Sequence, residues 1–534
     1  MAGDLRPISS WQAHLPEGEH FSPDNLICEE SLPRLWVKVL STDPDQRLIY
    51  DSSGKWMLRG EFLEESGSVA RAMYASGLRA GERVILSGAA STRLVVYYAA
   101  ALRLGLVVVP MNPGFTESEV FHVVRDVKPS GAIVDSAALA GLLAEIVKQQ
   151  EFSVPFSGPG AGLPLPHGVF RIFFVDDEVE ASGGSEVPMD AAWRDAPALI
   201  AYTSGTTGRP KGAILSHGNL LASARSLNIA WRWTESDRLI LALPLFHMHG
   251  LGVGINGSLC VGSSIILFEK FEADRVLAAI REFSASLFFG VPTMYQRLLE
   301  AEKLDEVRSM RLLVSGSAPL PEKVQREIAH RTGAAVLERY GTTESLIDIS
   351  NPCVGERQAG CVGFPLPGVE VAFSGSKNEI FIGGPTVFSG YLNDSVATAA
   401  AFPMGAGWFA TGDVGSVDAR GYVSIIGRLK DVIITGGYNV YPKEVEDALR
   451  SHFAVTDVAV AGVQSETWGE EVVAFVVKSA DVTGEALIKH ASFRLASYKR
   501  PKKVIFVEEF PRNALGKVVP SELRKMATPN LNAP

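Results

Sequence analysis

The feature that most constrains the fold is a repeated unit of a short apolar stretch, a turn of Gly, Pro or Ser, and an amphipathic stretch. Examples are "RVILSG" at 83–88, "SLFFGVPTMYQRLLEAE" at 286–302 and "MRLLVSGSAPLPEKVQREIAHRTG" at 310–333. Each apolar stretch has the length of a buried strand, and each amphipathic stretch has helical spacing. The pattern therefore predicts an α/β fold of stacked, largely parallel layers.

The chain of 534 residues is too long for one hydrophobic core, so two or more domains are expected. Gly, Pro and Ser dominate between about 151 and 190, which predicts a surface loop or linker between subdomains. The last hundred residues follow a helix, strand, strand, helix pattern that suffices for an α+β domain. We predict a large N-terminal domain over 1–429 and a small α+β C-terminal domain over 430–534, joined by a hinge.

The longest apolar segment, "LVVYYAAALRLGLVVVPMNP", is interrupted by Arg103 and Gly105. It predicts a buried helix running into a strand and not a membrane span. The chain has neither a secretion signal at its start nor a peroxisomal address at its end, so a cytoplasmic protein is expected. None of its four cysteines forms a CxxC pair, which disfavours a disulfide framework or a thiolate zinc site.

The charge balance restricts the partners. Lys plus Arg number 50 against 60 Asp plus Glu, so the net charge of −10 gives no general attraction to nucleic acid or acidic membranes. Small-molecule partners are expected instead.

The stretch "YTSGTTGRPKGAILSH" at 202–217 follows an apolar strand pattern and precedes the helical pattern "NLLASARSLNIA". Its glycines let backbone amides approach an anion, while its hydroxyls and the cations Arg209 and Lys211 add donors and positive charge. This combination predicts a loop for polyphosphate, although it does not match GxxxxGK[ST]. The alternative is an ordinary mobile surface turn.

Four further motifs follow this loop: "RYGTTES" (339–345), "GWFATGDVG" (407–415), "GRLKDVIITGGYNVYPKEVE" (427–446) and "PRNALGKV" (511–518). Together the five motifs resemble the adenylate-forming superfamily of acyl-CoA synthetases, peptide-synthetase adenylation domains and luciferases. The resemblance implies that ATP, Mg²⁺ and CoA take part. A carboxylic acid would be activated as an acyl-AMP with release of pyrophosphate, and the acyl group would then pass to CoA after the small domain rotates.

The resemblance also implies roles for individual residues. Those that would hold the β- and γ-phosphates are Thr203, Ser204, Gly205, Thr206, Thr207, Gly208 and Lys211. Thr343 would serve the α-phosphate and Glu344 the α-phosphate and Mg²⁺, while Asp413 would hold the ribose hydroxyls with Arg428 nearby. The adenine slot would be lined by Ser315, Gly316, Glu338, Arg339 and Tyr340.

Three further roles concern the two half-reactions. Lys517 would meet the substrate carboxylate and the α-phosphate, although a single lysine in a Pro/Asn/Gly loop is usually only solvated. Lys430 matches the hinge. Gly436 and Gly437 would line the pantetheine tunnel, where the lack of side chains permits close passage, or they form a plain turn.

Finer matches, such as "LPLFHMHGL" and "LLVSGSAPLP", resemble malonyl-CoA synthetases. The residues that this resemblance assigns to the acyl pocket are His247, His249, Gly290, Arg297, Ser317 and Thr342. Malonyl enzymes usually carry Met where this chain has Thr342, so a deeper pocket that admits a substituted or longer acid is also expected. The two histidines are predicted to alternate at a strand end. They could instead be metal ligands, but no third ligand accompanies them.

Arg297 lies one turn after Thr293 in a predicted helix that begins at Pro292. If that face borders the acyl pocket, a second substrate carboxylate would be its bidentate partner. If the face points to solvent, Arg297 pairs with Glu300. Other functions compatible with the motifs are a ligase for short, medium-chain or aromatic acids, or an enzyme that loads a separate carrier protein. A homodimer is also compatible with the sequence.

Overall fold

The computed structural model describes residues 5–8, 11–27, 29–149, 170–177, 187–203, 210–374, 378–405, 407–465, 467–512 and 518–527. They form an α/β fold with a nine-stranded sheet, a seven-stranded sheet and two five-stranded sheets. This architecture confirms the layered α/β fold that the repeated units predict. Three of the sheets belong to the large N-terminal part, and the fourth belongs to the small C-terminal part.

The nine-stranded sheet carries most of the repeated units. Its strands, in spatial order, are Phe364–Pro365, Ile349–Ser350, Val336–Tyr340, Leu312–Ser315, Leu287–Gly290, Arg238–Leu241, Ser264–Leu267, Arg47–Tyr50 and Trp56–Leu58. The six strands from Val336–Tyr340 to Arg47–Tyr50 are parallel, and antiparallel strands flank them. Gly290, Ser315 and Glu338 are neighbours across three strands. Their side of the sheet is therefore the carboxyl edge, where α/β folds bind ligands.

The seven-stranded sheet contains the two strands that flank the predicted phosphate loop in the sequence. Its strands, in spatial order, are Gly390–Tyr391, Lys211–Ser216, Pro197–Thr203, Val107–Pro110, Arg83–Ser87, Gly131–Val134 and Arg171–Phe174. The longest apolar segment forms the buried helix Thr92–Arg103 and then the strand Val107–Pro110, as predicted.

Two strands of this sheet depart from the sequence expectation. Lys211–Ser216 is a strand antiparallel to Pro197–Thr203, where the sequence predicted loop up to the next helix. Its central residues are all buried, so it lacks the alternation that marks a half-exposed strand. Arg171–Phe174 lies within the predicted linker and pairs in parallel with Gly131–Val134.

The two remaining sheets have five strands each. One is antiparallel and consists of Leu5–Ile8, Glu370–Ser374, Glu379–Gly383, Phe409–Val417 and Val423–Arg428. The C-terminal sheet consists of Tyr438–Val440, Ile433–Thr435, Gly469–Lys478, Val455–Ser465 and Lys503–Phe506. The chain passes from one to the other between Arg428 and Ile433, through the single 3₁₀ turn Leu429–Asp431.

Helices cover the sheets. The α-helices are Leu32–Leu40, Arg59–Ala75, Thr92–Arg103, Glu117–Val127, Ala137–Gln149, His217–Ala230, Asn256–Val261, Ala273–Glu282, Pro292–Glu300, Glu322–Thr332, Ser395–Ala401, Pro442–Arg450, Gly484–Ser492 and Pro520–Ala527. A π-helical segment spans His249–Ile255, and the 3₁₀ helices are Trp11–His14, Pro23–Leu26, Leu304–Ser309, Leu429–Asp431 and Ser497–Lys499. Among the described residues, no helix combines the length and apolar character needed to cross a bilayer.

One continuous apolar core joins the two largest sheets. Val108 of the seven-stranded sheet and Leu239 of the nine-stranded sheet belong to the same cluster as Trp36 and Tyr98. Because protein interiors pack densely, this shared core fixes the two sheets relative to each other. The strand ends that carry the predicted motifs are thereby held around one cleft.

Candidate active site

A cleft of about 2650 Å³ opens beside the carboxyl edge of the nine-stranded sheet. It is lined by Thr203, Lys211, Tyr340 and Glu344 and, from the C-terminal part, by Lys443. Sites for one small ligand typically measure roughly 300–1,000 Å³. The cleft therefore has room for more than one substrate.

At one end of the cleft, the strands Pro197–Thr203 and Lys211–Ser216 form a hairpin in which Thr203 pairs with Lys211. Seven residues, 204–210, lie between these two strand ends in the sequence. The predicted phosphate-loop residues Ser204, Gly205, Thr206, Thr207 and Gly208 lie outside the described residues, and so does Lys517.

The helix Glu117–Val127 holds both ends of this hairpin connection. Tyr202 donates its hydroxyl to Oδ2 of Asp126 at 2.5 Å, and Nε2 of His122 lies 2.9 Å from the carbonyl oxygen of Pro210. His122 and Asp126 are four residues apart, so they share one face of the helix. The sequence analysis missed these contacts, because no motif marks the helix.

Glu344 is oriented by a tyrosine that the sequence analysis also missed. The hydroxyl of Tyr391 donates to Oε1 of Glu344 at 2.7 Å, and Nζ of Lys211 lies 5.2 Å from the centroid of the Tyr391 ring. Burial and the adjacent carboxylate raise the pKa of Tyr391 above its ordinary value, so the hydroxyl remains a donor. Thr343 lines the cleft beside Glu344.

The donor set around Glu344 fits Mg²⁺. This ion is usually bound through one or two carboxylates, substrate phosphates and water. Glu344 offers one carboxylate beside the hairpin, and its Oε1 is already held by Tyr391. Among the described residues, no group of three His, Cys, Asp or Glu side chains forms a separate metal cage. His247 and His249 therefore have no third ligand there.

Asp413 is buried and fully oriented. Its Oδ2 accepts from the Tyr340 hydroxyl at 2.6 Å, and its Oδ1 lies 2.8 Å from Nε of Arg428. Asp413 and Arg428 face each other across paired strands, which explains their proximity. A carboxylate has about four acceptor positions, so Asp413 can still receive two hydroxyl groups.

The side chains of the strand Val336–Tyr340 point alternately to two opposite faces of the sheet. Glu338 accepts a hydrogen bond at 2.8 Å from the backbone of Leu320, and burial raises the pKa of its carboxyl to about 7. Tyr340 shares its face, whereas the side chain of Arg339 points to the other because successive residues of a strand alternate. There Arg339 lies against Gly316: a Cβ on that glycine would be 2.3 Å from Cζ of Arg339.

The sequence predicted that His247 and His249 alternate at a strand end. The structure does not place them at one. The strand Arg238–Leu241 ends before them, and His249 begins the π-helical segment. The turn between them is tight, because a Cβ on Gly250 would be 2.4 Å from the carbonyl oxygen of Pro244. Both histidines line the cleft, and burial holds the pKa of His249 well below its ordinary value.

The remaining predicted acyl-pocket residues fall into two groups. Ser317 and Thr342 line the cleft, whereas Gly290 ends a strand where a Cβ would be 2.9 Å from Phe288. Arg297 is exposed and is not part of the lining, although Thr293 and Gln296 of the same helix are. Among the described residues, Arg297 has no salt bridge to Glu300.

Other predicted residues are dispersed. Ser315 ends its strand, buried, with Oγ lacking a hydrogen-bond partner among the described residues. Lys430 lines the cleft within the turn that links the two parts of the chain.

Gly436 and Gly437 form an exposed hairpin turn with φ of +55° and +82°, away from the cleft lining. The structure therefore does not bring these two glycines together with the other site residues.

Family models match both parts of the chain. The model for AMP-binding enzymes matches residues 37–392, and the model for the C-terminal domain of AMP-binding enzymes matches residues 444–517.

Two relatives illustrate the range of acids in this family. The chain is 32% identical to a long-chain-fatty-acid–CoA ligase of Bacillus subtilis, over 95% of this chain and 97% of that protein. It is 34% identical to a mitochondrial malonate–CoA ligase of Mus musculus, over 84% of this chain and 82% of that protein.

Two solved structures share the fold. ATP-bound MatB of Rhodopseudomonas palustris has a TM-score of 0.84 and 36% identity, covering 92% of this chain and 98% of that chain. The o-succinylbenzoate CoA synthetase of Bacillus subtilis, bound to ATP and magnesium, has a TM-score of 0.80 and 28% identity, covering 93% of this chain and 100% of that chain. Together with the cleft geometry, these matches show that the chain belongs to the AMP-binding family of adenylate-forming acyl-CoA synthetases and is an acid–CoA ligase that uses ATP, Mg²⁺ and CoA.

Proposed function

We propose that the acid is malonate or a substituted malonate. The observation that carries this proposal is a polar part of the cleft lining, where His249 lies near enough to Arg339 and His247 for both to act on it electrostatically. A long apolar acid would gain little from burial against such groups, whereas a second carboxylate would satisfy them. The similarity to a malonate–CoA ligase and to MatB supports the same choice.

Arg297 contributes a second cation at the rim of this part of the cleft. Thr293 lines the cleft and lies one turn before Arg297 on the same helix face. Among the described residues, the guanidinium has no ion-pair partner, so it is available to a substrate that enters past Thr293. We therefore retain the assignment of Arg297 to the distal carboxylate of the acid.

The first half-reaction places each group in a defined role. An oxygen of the acid attacks the α-phosphorus of ATP, the bond to the β-phosphate oxygen breaks, and pyrophosphate leaves. Lys211 and the phosphate loop would hold the leaving phosphates, Thr343 would contact the α-phosphate, and Asp413 would hold the ribose. Because charge concentrates around the α-phosphate, positively charged groups fixed there stabilise the transition state.

Glu344 would hold Mg²⁺, with Tyr391 keeping the carboxylate in place. When bound, the ion neutralises phosphate charge and orients the leaving group. Lys517 would meet the substrate carboxylate and the α-phosphate. In the second half-reaction, the thiol of CoA attacks the acyl carbonyl and AMP leaves, after a rotation about the turn that contains Lys430.

The test is an ATP- and CoA-dependent assay over malonate, methylmalonate, acetate, octanoate and benzoate. We expect the highest kcat/KM for malonate or methylmalonate. Arg297→Ala should lower kcat/KM for that diacid. The loss should correspond to about 2–4 kcal/mol of transition-state stabilisation, the order expected for a lost charge-assisted contact. Preference for octanoate or benzoate, or an equal loss on every acid in the variant, would reject the malonate assignment and leave the acid–CoA ligase intact.

A further inference from the structure

Lys211 begins a strand that lies between two other strands of the seven-stranded sheet, one ending at Thr203 and one ending at Tyr391. Thr203 pairs with Lys211, and Tyr391 pairs with Ala213. Nζ of Lys211 lies 5.2 Å from the centroid of the Tyr391 ring, whose hydroxyl holds Glu344. The two flanking strands therefore determine where the lysine ammonium is presented to the cleft.

The side chain of Asp126, on the helix Glu117–Val127, connects these two flanking strands. Its Oδ2 accepts from the Tyr202 hydroxyl at 2.5 Å, one residue before the end of one strand. Its Oδ1 accepts from Nδ2 of Asn393 at 3.1 Å, two residues after the end of the other strand. The same Nδ2 also donates to the backbone carbonyl oxygen of Asp126 at 2.9 Å. One carboxylate thus bridges both neighbours of the strand that begins at Lys211.

Gly212 makes room for this bridge. Tyr202 and Gly212 are directly paired, and a Cβ on Gly212 would be 3.2 Å from Cζ of Tyr202 and 2.7 Å from Cγ2 of Ile200. The missing side chain lets the tyrosine ring lie against the middle strand and reach Asp126. Burial and the adjacent carboxylate raise the pKa of Tyr202 well above its ordinary value, so its hydroxyl remains a donor.

The charge of Asp126 is unsuited to contact with ATP itself. Asp126 lines the cleft, where a carboxylate would repel phosphate groups. Inside the protein, it attracts the cation Arg83. Burial lowers the pKa of that guanidinium to about 10, which leaves it charged at neutral pH. Asp126 is therefore placed to orient other residues and not to bind the nucleotide.

We infer that Asp126 is a positioning residue for ATP. By bridging the two flanking strands, it fixes the strand end at which Lys211 would meet the β- and γ-phosphates. Groups that contact a substrate need such support from hydrogen bonds behind them. Because one flanking strand carries the tyrosine that holds Glu344, the bridge also sets the spacing between Lys211 and the proposed Mg²⁺ ligand. The inference rests on the proposed role of Lys211 and does not depend on which acid is activated.

The experiment measures equilibrium binding of MgATP and of AMP, which lacks the β- and γ-phosphates. The ratio of the two Kd values isolates contacts to those phosphates. Tyr202→Phe removes one end of the bridge, and Asp126→Ala removes both ends. We expect each change to raise the Kd of MgATP about tenfold and to leave the Kd of AMP within about twofold of the wild-type value, the order for a lost hydrogen bond to a charged group.

A double-mutant cycle tests whether the two residues act as one bridge. Tyr202→Phe should have no further effect on the Kd ratio in the Asp126→Ala background, and a second, additive loss overturns the bridge. Thermal melting identifies variants that fail to fold. If Asp126→Ala does not fold, Tyr202→Phe alone provides the test through its Kd ratio.

Tyr98→Phe is the matched control, because its buried hydroxyl donates to Oδ1 of Asn256 at 3.0 Å within the core. It should lower the melting temperature without changing the Kd ratio. Lys211→Met is the reference, and an unchanged ratio in that variant rejects the proposed role of Lys211 itself. If Lys211→Met changes the ratio but folded Tyr202→Phe and Asp126→Ala do not, or if they weaken MgATP and AMP equally, the positioning role of Asp126 is overturned.

Discussion

Two pairs of side chains, one at the proposed nucleotide side of the cleft and one at the proposed acid side, differ in whether the protein supplies them with hydrogen-bond partners. On the nucleotide side, Asp413 is held by Tyr340 and Arg428, and Glu344 is held by Tyr391. On the acid side, buried nitrogens of Arg339 and His249 lack partners among the described residues. Asp413 and Glu344, which we propose to hold the ribose and Mg²⁺, are thus oriented before any substrate arrives, whereas Arg339 and His249 keep buried nitrogens without partners among the described residues. Groups that are already oriented require little free energy of reorganisation during the reaction.

Lys517 should give the largest effect, because by resemblance it acts on both sides of this comparison. Lys517→Ala should lower the rate of adenylate formation about 10³-fold, since it removes positive charge from the developing phosphorane. Transfer to CoA from supplied acyl-adenylate should be retained. The two half-reactions are measured separately, by pyrophosphate release and by thioester yield.

The acid preference of this variant sharpens the comparison. If charge recognition lies in the acyl pocket, the ratio of kcat/KM for malonate to that for malonamate, in which an amide replaces one carboxylate, stays at the wild-type value in Lys517→Ala. A collapse of that ratio would move recognition of the second carboxylate to Lys517. Equal losses in both half-reactions would reject the assignment of Lys517 to adenylation alone.

Asp413→Asn should have the next largest effect. The substitution keeps the shape but removes the charge that Arg428 contacts at 2.8 Å. Hydrogen bonds to charged groups contribute about 1.5–3 kcal/mol, so the KM for ATP should rise about 10–100-fold. Steady-state kinetics with ATP as the varied substrate measures this change. A large shift in acid preference instead would break the separation of the two sides.

Tyr391→Phe should have the smallest effect. It removes one hydrogen bond from Glu344 but keeps the ring beside Lys211, so kcat/KM at limiting Mg²⁺ should fall about fivefold. A titration with Mg²⁺ should recover most of the loss. Tyr422→Phe is the matched control, because its hydroxyl donates to the backbone of Glu356 at 2.8 Å. Equal Mg²⁺ dependence in both variants would contradict the role of Tyr391.

The sequence predicts the parts of the fold that have clear periodicity. The helix Thr92–Arg103 and the strand Val107–Pro110 follow from one long apolar pattern. The strand Lys211–Ser216 could not be distinguished from the loop before it, because its buried centre has no alternation and Gly212 weakens the strand pattern. Its pairing with the preceding strand Pro197–Thr203 and with the distant strand Gly390–Tyr391 decides its conformation.

The same limit applies to the site. Asp413 and Glu344 stand in recognisable motifs, whereas Tyr391 reaches Glu344 only because its short strand pairs with Lys211–Ser216. Arg339 is expected near adenine from its motif, and strand alternation directs its side chain away from that of Tyr340 and against Gly316. That alternation could have been applied to the sequence once Tyr340 was assigned to the nucleotide side. The neighbours of Arg339 could not, since Gly316 and His249 belong to separate segments of the chain.

The strand Val336–Tyr340 has a consequence for how new substrate preferences can arise. Glu338 and Tyr340 lie on one face of the strand and the intervening Arg339 on the other, while parallel pairing with Leu312–Ser315 fixes the register. With Arg339 at the proposed acid side, a point substitution at this middle position should change the acid preference while the groups proposed for ATP keep their places. A one-residue insertion would instead swap the two faces and disable both. Diversification through this strand therefore favours replacement over changes in length.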